Sequence, residues 1–181
     1  MIVKNKNQYQ KSPSFSFMPD FIVENVAAID FELLKTYGIK NCFVDLDDTV
    51  VDKNKFDVSQ SVICAIKSSD MNVYIATNRP ISKDLKNLEK DLRAQGVVHP
   101  IGFYGKPFKK YFNGALDQFG LKGHETIMIG DRYIQDIFGA NHSGLHTMIV
   151  HKLGKSNGII DMLISKLEKL ATKNYSRRYS R

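Results

Sequence analysis

The chain has 181 residues, 43% hydrophobic and 25% charged, with two cysteines and a formal net charge of +7. That length suits one well-buried domain and is short for two, and the composition excludes a disordered chain or a disulfide scaffold. A run of about 18 apolar residues is absent, which excludes a spanning helix, and the N-terminus lacks the apolar stretch of a signal peptide. Cys42 and Cys64 have no metal-ligand spacing and read as small buried hydrophobes, so a cytoplasmic protein is expected.

The positive charge is concentrated at the ends. Residues 1–19 carry Lys4, Lys6 and Lys11 without an acid, and residues 166–181 carry six basic side chains against Glu168. The body between them is close to neutral. Such ends can attract an anionic membrane surface or RNA, or simply remain solvated. The expected organisation is a basic tail over 1–19, one domain over 20–170 and a second basic tail over 171–181.

In chain order, residues 20–39 read as an arm leading into the domain, with Asp30 capping a short helix around Leu33 and Leu34. NCFVDL (41–46) predicts a buried strand ending in acids. Asp57 or Ser59 then caps a helix carrying Val62, Ile63 and Ile66. NVYIAT (72–77) predicts the next strand, followed by a helix capped by Ser82, bearing Leu85, Leu88 and Leu92 and ended by Gly96. VVHPIGFY (97–104) reads as a strand interrupted by Pro100. Pro107 suits the first turn of a helix with Phe108, Phe112, Leu116 and Phe119, closed by Gly120. TIMIG (126–130) and HTMIV (146–150) predict two more strands around a short helix through Ile134, Ile137 and Phe138 to Gly144. A last helix is expected from about Ser156. The βα alternation predicts a doubly wound, mostly parallel Rossmann-like sheet flanked by helices.

Ligands of such sheets bind beyond the C-terminal ends of the strands. That edge would receive Asp45, Asp47 and Thr49 from the first strand, Thr77 and Asn78 from the second, Lys106 from the third, and Asp131 with Asp136 from the fourth. Three acids within residues 45–48 repel one another unless a cation or strong hydrogen bonds offset them, and hard oxygen ligands suit Mg²⁺ over Zn²⁺. Asp48 reads as a turn former. Asp136 reads either as a helix cap or as support for the metal site. The five histidines show no metal-ligand pairing and read as structural or surface residues.

The order Asp-x-Asp-x-Thr, Thr, Lys-Pro, Gly-Asp-x4-Asp over residues 40–150 resembles the haloacid dehalogenase superfamily of phosphotransferases. The resemblance implies Asp45 as nucleophile, Asp47 as general acid and base, and Thr77, Asn78 and Lys106 around the phosphoryl oxygens. It also implies Mg²⁺ at Asp45, Asp47 and Asp131, with Asp136 and Thr49 in support. A closer likeness, through residues 18–49, 105–121 and 139–150, is to the YqeG-type branch, related to mitochondrial phosphatidylglycerophosphate phosphatases. The chain departs from that branch at Asp48, where Asn is usual, and at Thr77-Asn78-Arg79-Pro80, where Ser-Asn-Asn is usual.

The intervals from Thr49 to Thr77 and from Thr77 to Lys106 leave no room for an inserted cap domain, so the site is expected to be open. An open site suits a phosphate presented on something large, and the branch implies a lipid headgroup, phosphatidylglycerophosphate. Two alternatives stand beside it. One is a phosphatase for soluble phosphosugars, nucleotides or phosphoproteins. The other is an RNA- or ribosome-associated protein using the Arg/Tyr-rich C-terminus.

Overall fold

A computed structural model of the chain describes residues 2–3, 11–151 and 153; the helix expected from Ser156 and the C-terminal basic tail lie outside them. The four long apolar runs become parallel strands: β3 (Asn41–Asp45), β4 (Asn72–Ala76), β6 (Thr126–Gly130) and β7 (His146–Val150). Shorter strands complete the sheet. They are β1 (Ile2–Val3), β2 (Phe21–Val23) and β5 (Gly96–Val98), and the order across the sheet is β1-β2-β7-β6-β3-β4-β5. All neighbours are parallel except β1, which runs antiparallel to β2. The doubly wound α/β fold expected from the sequence is the fold observed.

Strands covered on both faces need apolar residues at every position, and alternate residues build two separate cores. On one face Cys42, Val44, Val73, Ile75, Ile127 and Ile129 pack beneath α1 (Phe31–Thr36), α2 (Gln60–Ser68) and α3 (Lys83–Asp91). On the other, Phe43, Tyr74 and Met128 meet Tyr111, Phe112 and Leu116 of α4 (Lys109–Phe119) and Ala140 of α5 (Gly139–His142). Each large buried side chain contributes roughly 1.5–3 kcal/mol. Local chemistry sets the helix ends. Asp30, Ser59 and Ser82 accept hydrogen bonds from the amides of Leu33, Val62 and Leu85, and Gly120 closes α4 at φ 63°. No helix among the described residues is long and apolar enough to cross a membrane.

Several expectations are corrected. Gly96 opens β5 instead of ending α3, and β5 stops at Val98; residues 99–108 form a loop, because Pro100 carries no amide to continue the ladder. Helix α4 starts after Pro107, so Phe108 is more than half exposed while Tyr111 takes the buried position. Cys64 is exposed on α2, whereas Cys42 is buried, which pushes its thiol up to about 12.

The arm contains a strand the sequence pattern did not reveal, since three residues are too few to show a period. Lys11 is not a solvated charge. It pairs with Asp20 and bonds Asn141 Oδ1 at 2.6 Å, while Asp20 accepts from the Thr147 amide at 2.9 Å.

The connectivity places the site. The chain leaves β3 outward through β4 to β5, then returns to β6 on the opposite side of β3. The C-terminal ends of β3 and β6 therefore flank the point where connections diverge, where an open sheet leaves a crevice.

Candidate active site

Asp45 is the last residue of β3, and Asp131 follows β6 immediately. Asp136 lies one turn further, inside a π-helical turn over Tyr133–Phe138. Oxygen atoms of these three carboxylates lie within 4.8 Å of one another, and all three residues are buried. Turns of this kind concentrate at functional sites because the extra residue re-aims side chains. Here the turn folds Asp136 back against Gly130, where any Cβ would overlap its carboxylate. Asp136 Oδ2 accepts from the Arg132 amide at 3.1 Å, so it caps the turn and joins the acidic cluster at once.

Lys106 enters this cluster from the loop after β5, eight positions beyond Val98 instead of directly from a strand end. Its ammonium pairs with Asp45 Oδ1 and with Asp136 Oδ1, the latter at 2.7 Å. Asn78 holds the loop in place: Oδ1 accepts from the Lys106 amide at 2.9 Å and Nδ2 donates to its carbonyl at 3.3 Å. Asn78, expected near the phosphoryl oxygens, thus directs both its polar atoms at the Lys106 backbone. Thr77 is buried with its Oγ1 accepting from the Arg79 amide at 3.0 Å. Thr49 donates to Asp45 Oδ2 at 3.3 Å.

Asp47 stands apart from the cluster. Arg79 binds both its oxygens, Nε meeting Oδ2 at 3.0 Å, and the Asn54 amide donates to Oδ1 at 3.1 Å. The guanidinium also donates to the Lys55 carbonyl at 2.8 Å and lies 4.7 Å from the Phe56 ring centre. Of the expected metal set, Asp45 and Asp131 lie together with Asp136, while the Asp47 side chain is turned to Arg79. Bidentate pairing to a guanidinium is among the strongest alternatives a carboxylate has. The sequence assigns Arg79 no site role; it stands there only within the Thr77–Pro80 departure, two residues after Thr77. Asp48 forms the turn, with φ 61° and its Oδ1 accepting from the Lys53 amide at 3.2 Å.

Three buried carboxylates face one buried ammonium, so the fully ionised cluster carries an excess of two negative charges. Uncompensated buried charge is costly, and the protonation equilibria reflect it. Burial, reinforced by Asp136 and Asp45, pushes Asp131 up to about 8. Burial also pushes Asp45 up, to about 6, although Lys106 opposes it. For Lys106, burial disfavours the charge, but the two acids outweigh it and hold the ammonium protonated. Asp47 differs: burial raises it, yet the Arg79 and Asn54 hydrogen bonds bring it below the usual carboxylate range.

These residues fit a divalent cation. Asp131 Oδ1 is buried and accepts no hydrogen bond, its nearest cation being Arg132 Nε at 4.0 Å. Oxygen-only donors with excess negative charge match the preference of Mg²⁺. Asp45, Asp131 and Asp136 are the side chains that would hold it.

Comparison with known proteins agrees with this geometry. The haloacid dehalogenase-like hydrolase family model matches residues 42–118, and a HAD-hydrolase-like model matches residues 103–159. The chain is 28% identical over 161 residues to Probable phosphatase YqeG of Bacillus subtilis (strain 168), covering 84% of this chain and 88% of that protein. It is 32% identical over 77 residues to the phospholysine phosphohistidine inorganic pyrophosphate phosphatase of Bos taurus, covering 36% of this chain and 28% of that protein. The matched segment thus spans under a third of that relative's length. An uncharacterized protein from Listeria monocytogenes serotype 4b shares the fold, with a TM-score of 0.50 at 15% identity over 75% of this chain and 99% of that one.

Proposed function

Because the chain belongs to the haloacid dehalogenase-like hydrolases and is a phosphatase, we propose that Asp45 is its nucleophile, acting on a phosphomonoester carried by a lipid. The observation that carries this reading is the buried Asp45–Lys106–Asp136 cluster beside the unpartnered Asp131 oxygen. A nucleophilic carboxylate needs a fixed orientation and a nearby cation, since a phosphate dianion repels it. Thr49 and Lys106 supply the orientation, and the Lys106 ammonium supplies positive charge at the attacking oxygen.

In the proposed reaction Asp45 attacks phosphorus, the bond to the ester oxygen breaks, and an aspartyl-phosphate forms. Asp47 gives a proton to the departing alkoxide and later takes one from the water that hydrolyses the acyl phosphate. Asp47, which Arg79 holds as a carboxylate, must first leave the guanidinium and take that proton from solvent. Mg²⁺, when bound, would supply charge neutralisation and alignment of the phosphoryl group. Asn78 acts at one remove by fixing the loop that delivers Lys106.

The proposed substrate is phosphatidylglycerophosphate. Its support is the likeness to the YqeG-type branch together with the connections around the site. Between Asp45 and Lys106 the chain contains only α2, β4, α3, β5 and their loops, so no inserted domain encloses a small metabolite. The test is turnover by purified full-length protein of phosphatidylglycerophosphate in detergent micelles, with Mg²⁺ and with EDTA, beside a panel of soluble phosphosugars and nucleotides. Mg²⁺-dependent release of phosphate with preference for the lipid is expected. Equal or faster turnover of a soluble monoester would overturn the lipid assignment.

A further inference from the structure

We propose that the loop between β5 and α4 docks the site on an anionic lipid bilayer, with Phe103 inserted among the acyl chains and Lys109 and Lys110 at the headgroups. The proposal rests on the lipid reading above and names the surface that serves it.

Phe103 is 100% exposed at the tip of a tight turn in which Ile101 and Tyr104 exchange backbone hydrogen bonds, each at 3.0 Å. The turn is built to hold that tip out. Ile101 packs its side chain over Gly114 of α4, where a Cβ would overlap its Cδ1. Tyr104 meets Phe108 edge-on at 5.6 Å, and the Lys110 ammonium lies 4.5 Å from the Tyr104 ring centre. Asn78 fixes the loop's far end through the Lys106 backbone. A phenylalanine that stabilises nothing in the fold, on a turn braced from both sides, is a contact residue without its partner. Ile101, Tyr104 and Phe108 are each at least 42% exposed around it, and Ile81, 63% exposed, stands on the neighbouring loop after β4.

Charge selects the partner. Over residues 99–116 the exposed charged side chains are Lys109 and Lys110, and there is no aspartate or glutamate. Aromatic and aliphatic side chains beside lysines match the boundary between acyl chains and anionic headgroups. A two-fold pairing with a second copy would instead set two lysine-bearing surfaces against each other. The patch is also continuous with the site, since Lys106 lies three residues after Phe103 and its ammonium pairs with Asp45. Docking through the tip would therefore bring the mouth of the site to headgroup level.

The chain contains no tryptophan, so Phe103→Trp places a unique emitter at the tip. With vesicles of phosphatidylglycerol and phosphatidylcholine, neither of them a phosphomonoester, the full-length variant should show a blue shift and quenching by brominated acyl chains. Sedimentation with the same vesicles should weaken by about tenfold in Phe103→Ser, and comparably in the Lys109→Glu, Lys110→Glu double variant. Turnover of a soluble monoester and the melting temperature should be unchanged in Phe103→Ser. The proposal is overturned by undiminished sedimentation of both variants, or by a tryptophan that stays water-exposed on vesicles that bind the protein. It is equally overturned by a Phe103-dependent dimer that ignores vesicles. Vesicle binding without turnover of phosphatidylglycerophosphate would sink the substrate assignment and leave the docking surface standing. Turnover in micelles without vesicle binding would do the reverse.

Discussion

Arg79 binds both carboxylate oxygens of Asp47 from 32 positions along the chain, and so separates the second acid of the DLDDT segment from the first. Asp45, two residues earlier, instead pairs with Lys106. The two strand-end acids therefore occupy opposite electrostatic settings: burial pushes Asp45 up to about 6, while Arg79 takes Asp47 below the usual range. A proton donor must be the more readily protonated of two such acids, so Asp47 can serve as one only after it leaves Arg79.

Removing the guanidinium should release Asp47 toward ordinary carboxylate behaviour. Arg79→Gln is expected to raise the proton affinity of Asp47, and so to move upward the limb of the kcat/KM profile for a soluble monoester that Asp47 sets. A profile that stays in place would mean that Asp47 does not carry the transferred proton.

Asp45→Asn keeps the shape of the strand end and removes the proposed nucleophile. Turnover should fall by at least about a thousandfold. Mass spectrometry of acid-quenched wild-type protein should place the trapped phosphoryl group on Asp45, and recovery of that group on another residue would refute the assignment.

Lys106→Met leaves Asp45 and Asp136 buried without their ammonium. Denaturant unfolding in EDTA should register a loss of about 3–5 kcal/mol at pH above 8. A much smaller loss would show that the acids do not depend on Lys106.

The raised proton affinity of Asp131 sets a pH dependence. Its folded-state value, about 8, lies above the ordinary carboxylate range, so its contribution to stability is complete below that range and is lost as pH rises through about 8. In EDTA, Asp131→Asn should match wild-type protein near pH 5 and melt several degrees higher near pH 9, at about 2–4 °C per kcal/mol. Added Mg²⁺ should reverse the order at pH 9, because only the wild-type carboxylate gains a cation. An unchanged order in Mg²⁺ would remove Asp131 from the metal site.

Gly130→Ala tests the fold of the π-helical turn. The added Cβ overlaps the Asp136 carboxylate, so a loss of about 1–3 kcal/mol and a much larger loss of turnover are expected. Retained turnover would mean that Asp136 is not needed where it lies.

The strands with five apolar or strand-ending positions, the caps at Asp30, Ser59 and Ser82, and the stop at Gly120 were all readable from the chain. Each depends on neighbours within about four residues or on a repeating period. The short pieces were not. β2 holds three residues, β5 ends at Val98, and the turn carrying Asp136 is too brief to show a helical period.

The same boundary runs through the site. That Asp45, Asp47, Thr77 and Asp131 lie at one edge of the sheet follows from their positions after successive strands, which residue order alone records. Which charge pairs with which does not follow from order. Asp47 faces Arg79, Asp45 faces Lys106 across 61 positions, and Asp136 lies with Asp45 and Asp131 among the clustered acids. Electrostatic partners are chosen by distances of a few ångströms and by exclusion of water. The packing of β3, β6 and the Lys106 loop sets both.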